Sequence, residues 1–93
     1  MDLIDFKKTL SANEPPKNIN DDLLAMWYDA KGDWEKAHQL VQDSAGKNAS
    51  WIHAYLHRKE RDISNADYWY SKAGKIRPAL SLEKEWEQIV SEL

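Results

Sequence analysis

The chain reads as an all-α protein built from two helical hairpins, and three observations carry that reading. The segment Gly32-Asp33-Trp34-Glu35-Lys36-Ala37 returns in altered form as Arg61-Asp62-Ile63-Ser64-Asn65-Ala66, so one helix-turn-helix unit is written twice. Apolar residues recur at helical spacing along most of the chain, as Trp34, Ala37 and Val41 do at i, i+3 and i+7. No stretch alternates polar and apolar residues with period two for long enough to make a strand.

Leu3, Phe6 and Leu10 fall at i, i+3 and i+7 and predict a short amphipathic helix over residues 2–10. Ser11 to Asn18 then reads as a loop, because Pro15 and Pro16, flanked by Asn13 and Asn18, disfavour continuous helix. Residues 1–19 are therefore set apart from a single helical domain over residues 20–93. Asn20 or Asp21 can cap the next helix, whose Leu23, Leu24, Trp27, Tyr28 and Ala30 form an apolar side that runs to Gly32. Gly32 suits the left-handed end of that helix, and the Asp33 carboxylate can accept the free amide protons of the one that follows.

The second helix of this hairpin is expected to end before Ser44-Ala45-Gly46. Asn48 or Ser50 then opens a third helix with Trp51, Ile52, Tyr55 and Leu56 inward. The second turn has Arg61 where the first has Gly32. Because Arg tolerates positive φ poorly, that turn is expected to be less regular or more strained. A fourth helix runs from Asp62 through Ala66, Tyr70 and Ala73 to Gly74, and Pro78 closes the unit. Ser81 can cap a last helix in which Leu82, Trp86, Ile89, Val90 and Leu93 form one stripe, while Glu83, Lys84, Glu85 and Glu87 occupy much of the remainder. That pattern suits a terminal helix covering the open end of a helical stack.

Ninety-three residues make one domain with one modest core, and five Trp and four Tyr supply much of its apolar area. The formal net charge of −3 argues against a general nucleic-acid binder, which shows a basic excess. There is no cysteine, so disulfides and thiol chemistry are excluded. Asp2, Asp5, Lys7 and Lys8 interrupt the first ten residues, which is incompatible with a signal-peptide core, and no run approaches transmembrane length. A cytoplasmic protein without membrane attachment is the expectation.

These positions resemble the tetratricopeptide pattern over about Asp21 to Pro78. Leu24, Ala25, Tyr28, Gly32 and Ala37 in the first unit, and Ala54, Ala66, Tyr70, Ala73 and Pro78 in the second, stand where that family places its packing residues. Val41 and Ser44 in the first unit, and His57 and Arg61 in the second, depart from it. The repeat of roughly 29 residues is also shorter than the roughly 34 of the family. The strings Trp27 to His38, Trp51 to Glu60 and Ala66 to Tyr70 are further similar to a group of small uncharacterised bacterial proteins, a likeness that supports a compact domain and names no activity.

The tetratricopeptide resemblance implies that the first helix of each hairpin lines a concave face, which sets Asp22, Met26 and Asp29 beside Trp51, Tyr55, Arg58 and Lys59. Such a face suits an extended peptide or helix with mixed charge. Trp51, Tyr55 and Arg58 would form its anchoring ridge, Arg58 gripping an acidic residue of the partner. The competing reading has the terminal helix or the N-terminal segment folding over this face and burying the aromatics.

His53 and His57 stand four apart, so they share one helix face, with Glu60 a turn further on. Two imidazoles at that spacing can converge on a transition metal, although the His-Glu-x-x-His form is absent. His38, beside Trp34, Ala37 and Val41, reads as a hydrogen-bonded core or interface histidine and as a further candidate ligand. The run His57-Arg58-Lys59-Glu60-Arg61 can hold phosphate or an acidic peptide, but it also sits where cations complement a helix C-terminus. Asp29, Asp33, Asp62 and Asp67 offer carboxylates, two of them better explained as caps. No catalytic residue is assigned, because no Gly-rich phosphate loop or Ser-His-Asp arrangement is readable.

The reading that follows is a small helical interaction module without catalysis or a resident cofactor, binding a protein or peptide through Met26, Asp29, Trp51, Tyr55, Arg58 and Lys59. The alternative is a metal- or small-ligand-binding protein using His53, His57 and Glu60. A self-associating module is third.

Overall fold

The computed structural model describes residues 2–93 and holds six helices among them: α1 Leu3–Thr9, α2 Asp21–Ala30, α3 Trp34–Val41, α4 Lys47–Lys59, α5 Ile63–Lys72 and α6 Leu82–Glu92. Each of the side chains Asp2, Asn20, Asp33 and Ser81 accepts a hydrogen bond from the backbone amide three residues on, satisfying one orphan donor at the start of α1, α2, α3 and α6. Two helix starts differ from expectation. Gly46 caps α4 without a side-chain bond, so the helix opens at Lys47 and draws Ala49 and Ser50 into the core. Asp62 stands at the cap of α5, yet its carboxylate accepts no backbone amide.

The two hairpin turns have the same hydrogen bonds. Gly32 N–H donates to Asp29 O and Asp33 N–H to Tyr28 O, while Arg61 N–H donates to Arg58 O and Asp62 N–H to His57 O. Each turn passes through the left-handed region, at φ 87° for Gly32 and φ 67° for Arg61. The second turn is thus as regular as the first, and its strain is confined to Arg61, whose Cβ makes that conformation cost on the order of 1–2 kcal/mol.

Helix α2 packs on α3 and α4 on α5, and α4 also touches α2, α3 and α6. This central position explains why every residue from Ala49 to His57 is buried, a helix covered on all sides. The remaining face is closed by α6. Trp86, Ile89 and Val90 are buried as their spacing predicts, and Trp86 Nε1 donates to Met26 O of α2 at 3.2 Å. Phe6 of α1 packs against Trp86 with ring centroids 5.9 Å apart, and Lys7 pairs with Glu87. Among the described residues, no helix is long and apolar enough to cross a membrane.

Ala37 and Ala66, equivalent in the two turn motifs, are both fully buried. A larger side chain at either position has no solvent to enter. Ala37→Leu and Ala66→Leu should each destabilise the fold by about 1–3 kcal/mol. Chemical denaturation of the two variants checks this, and wild-type midpoints in both would show that these contacts are loose.

Candidate functional site

Helix α6 decides the fate of the face expected to be concave. Met26, Asp29, Trp51 and Tyr55, expected as part of an open binding groove, are buried, with α6 packed on both α2 and α4. The covered alternative is the one the structure adopts. Arg58 does grip a carboxylate, but that carboxylate is the chain's own Glu85, at 2.7 Å, and Arg58 also donates to Leu80 O. Lys59 pairs with Asp29 at 2.9 Å. The basic run at the end of α4 thus has its two central cations engaged internally.

Glu85 departs furthest from expectation. Read as one of the charged residues on the outer side of α6, it is 0 % exposed and accepts from three donors: Trp51 Nε1 at 3.2 Å, Tyr70 OH at 2.6 Å and Arg58 at 2.7 Å. Burial and the Glu85 carboxylate push the Tyr70 phenol well above its ordinary range, so it remains a donor.

On the opposite side of α4, His53 and His57 face His38 of α3. One ligating nitrogen from each lies within 4.8 Å of the others. The i, i+4 spacing in α4 stacks the His53 and His57 rings at 4.8 Å, and the turn at Gly32 returns α3 alongside, bringing His38 Nε2 to 3.0 Å from His53 Nε2. Trp34 stacks on His38 at 4.8 Å and is itself held by donating to Leu56 O at 2.9 Å. Trp69 of α5 stacks on His53 at 3.9 Å. The sequence signals for this site were the His53/His57 pair and the repeated turn. Including His38 in place of Glu60 requires the register between α3 and α4, which is a tertiary property.

The cluster's hydrogen bonding is incomplete. In the His38–His53 contact one Nε2 carries the proton and the other supplies the lone pair. Whichever way that is arranged, the second nitrogen of His53 is left with an unmet need, and His53 Nδ1 is buried without a partner. His57 Nδ1 is in the same condition: Glu60 lies 3.4 Å away, within ion-pair distance but outside hydrogen-bonding geometry. Asn65 Nδ2 is 3.5 Å from His57 Nε2. Two orphaned buried polar atoms in one cluster are unusual, since such atoms are nearly always satisfied by protein or by a bound species.

Burial holds His53 down to about 4, with the neighbouring His38 and His57 adding to the effect. His38 is lowered from its ordinary value by burial and by His57, against an opposing pull from Glu60. Both rings are therefore neutral at neutral pH, the form in which an imidazole nitrogen keeps the lone pair a metal requires. No family model matches this chain, and neither a curated protein nor a solved structure matches it.

Proposed function

We propose that this protein binds a divalent transition metal of the zinc class at a centre formed by His38, His53 and His57. The observation that supports this reading is the convergence of three ligating nitrogens to within 4.8 Å of one another. Around an ion with metal–nitrogen bonds of about 2.0–2.1 Å, tetrahedral imidazoles stand about 3.3 Å apart, close to the His38–His53 separation. An all-imidazole set suits zinc, copper or nickel better than magnesium or calcium, which prefer oxygen. Glu60 beside His57 Nδ1 would act as the outer partner that orients a ligating ring rather than as a ligand. The ion would staple α3 to α4 and so join the two hairpins.

A peptide-binding role, the other reading of the sequence, has Trp51, Tyr55 and Arg58 committed to internal contacts. For that reason the histidine centre is preferred.

Isothermal titration of the metal-free protein with zinc chloride should show one site per chain. Cobalt(II) should give the visible absorption of a four-coordinate ion. His53→Ala should abolish both signals, and Glu60→Gln should weaken zinc about tenfold, the lower end for an outer partner because Glu60 is exposed. At a free zinc concentration 100 times Kd, stability should rise by about 2.7 kcal/mol. Zinc binding that survives in His53→Ala, or none at micromolar zinc, would remove this assignment.

A further inference from the structure

A second site lies away from the histidines, between the ends of α1 and α2, the C-terminal half of α4 and the start of α6. It is a cavity of about 290 Å³ with Leu10, Leu82 and Trp86 as apolar walls. Asp29, Tyr55 and Lys59 form its polar end, and Glu83 stands at its edge. Asp29 is out of place there by two physical criteria. It occupies the last turn of α2, where the helix dipole disfavours negative charge and no basic residue accompanies it. It is also only 3 % exposed, a position in which a carboxylate is costly unless paired.

Its compensation is partial. One oxygen accepts from Tyr55 OH at 2.9 Å and the other from Lys59 Nζ at 2.9 Å. A carboxylate offers about four lone-pair sites, so two remain. Lys59 reaches Asp29 from a side chain that is 40 % exposed, so this cation can be displaced at modest cost. Among the lining residues two carboxylates, Asp29 and Glu83, stand with one ammonium, Lys59, while Lys31 outside the lining is engaged on Leu10 O at 2.8 Å.

We infer that this cavity binds a small primary ammonium compound with an apolar body, its cation on Asp29 and its apolar part against Leu82 and Trp86. An aromatic residue in the wall next to a buried carboxylate matches both halves of such a molecule, the apolar body and the cation. The site is separate from the proposed metal centre, and each stands without the other.

The test is titration of the full chain with phenethylammonium chloride, followed by amide proton–nitrogen correlation spectra, with sodium phenylacetate as the anion of similar shape. Phenethylammonium should give saturable shifts centred on residues 26–31, 55–60 and 82–86, and phenylacetate should give none. Lys59→Met leaves Asp29 without its cation, so the ligand takes that place and its affinity should rise about tenfold, the scale of one charge-assisted hydrogen bond. Glu83→Gln, at an exposed position that leaves the fold undisturbed, should weaken binding about threefold. Saturable binding of phenylacetate in preference, the absence of saturable shifts with phenethylammonium, or an affinity unmoved by both substitutions would overturn the assignment.

Discussion

Glu85→Ala should destabilise the domain by about 3–5 kcal/mol, the range for removing one partner of a buried ion pair. The substitution leaves Arg58, whose side chain is only 17 % exposed, without its carboxylate, and strips the acceptor from Trp51 Nε1 and Tyr70 OH as well. Those losses are not additive, because the three donors share one carboxylate and the vacated space lets them relax together. Against a total stability of roughly 0.05–0.15 kcal/mol per residue, the loss is a large fraction of what holds the fold. Glu85→Gln should cost less, since it keeps an acceptor oxygen while giving up the charge. Urea denaturation followed by circular dichroism separates the two variants. A Glu85→Ala midpoint equal to wild type would mean that α6 is not docked through this residue.

Glu85 also shows what was legible in the sequence and what was not. Leu82, Trp86, Ile89, Val90 and Leu93 share one face by spacing, and the structure buries Trp86, Ile89 and Val90 while Leu82 and Leu93 pack half-buried against them. Glu85 sits at i+3 from Leu82 and i−4 from Ile89, so the same helical periodicity places it on the inner face. Its charge argued for the surface, and periodicity prevailed because Arg58, Tyr70 and Trp51 supply donors that only the folded chain brings together. Local signals of the other kind succeeded: Asn20, Asp33 and Ser81 cap the helices they precede, since capping depends only on the next few amides. The start of α4 was missed by a few residues because Gly46 has no side chain with which to announce a cap.

The histidine centre divides along the same line. The pairing of His53 with His57 is a matter of one helix and was readable. The arrival of His38 depends on how α3 lies across α4, which no local pattern specifies. The supposed peptide ridge lies inside the fold for a related reason. The residues Trp51, Tyr55 and Arg58 do share one face of α4, but ridge and core are indistinguishable until α6 is placed over them.

Deleting residues 80–93 should have the largest effect, because it removes that cover. Trp86, Ile89 and Val90 are each buried to 7 % exposure or less, and at roughly 1.5–3 kcal/mol per large apolar side chain their loss is on the order of 5–9 kcal/mol. That figure is comparable with the whole stability expected of a domain this size. The truncation also exposes Trp51, Tyr55 and Met26, leaves Phe6 without its Trp86 partner, and frees Arg58 from Glu85. A contiguous aromatic surface of that kind drives association. The truncated chain should therefore aggregate, or remain helical while losing its cooperative thermal transition. Light scattering after size-exclusion chromatography, together with a melting curve, distinguishes these outcomes from a third: a soluble monomer that melts like the full chain. That third result would make α6 an appendage to a core formed by the two hairpins alone, and the face beneath it would again be free to take a partner.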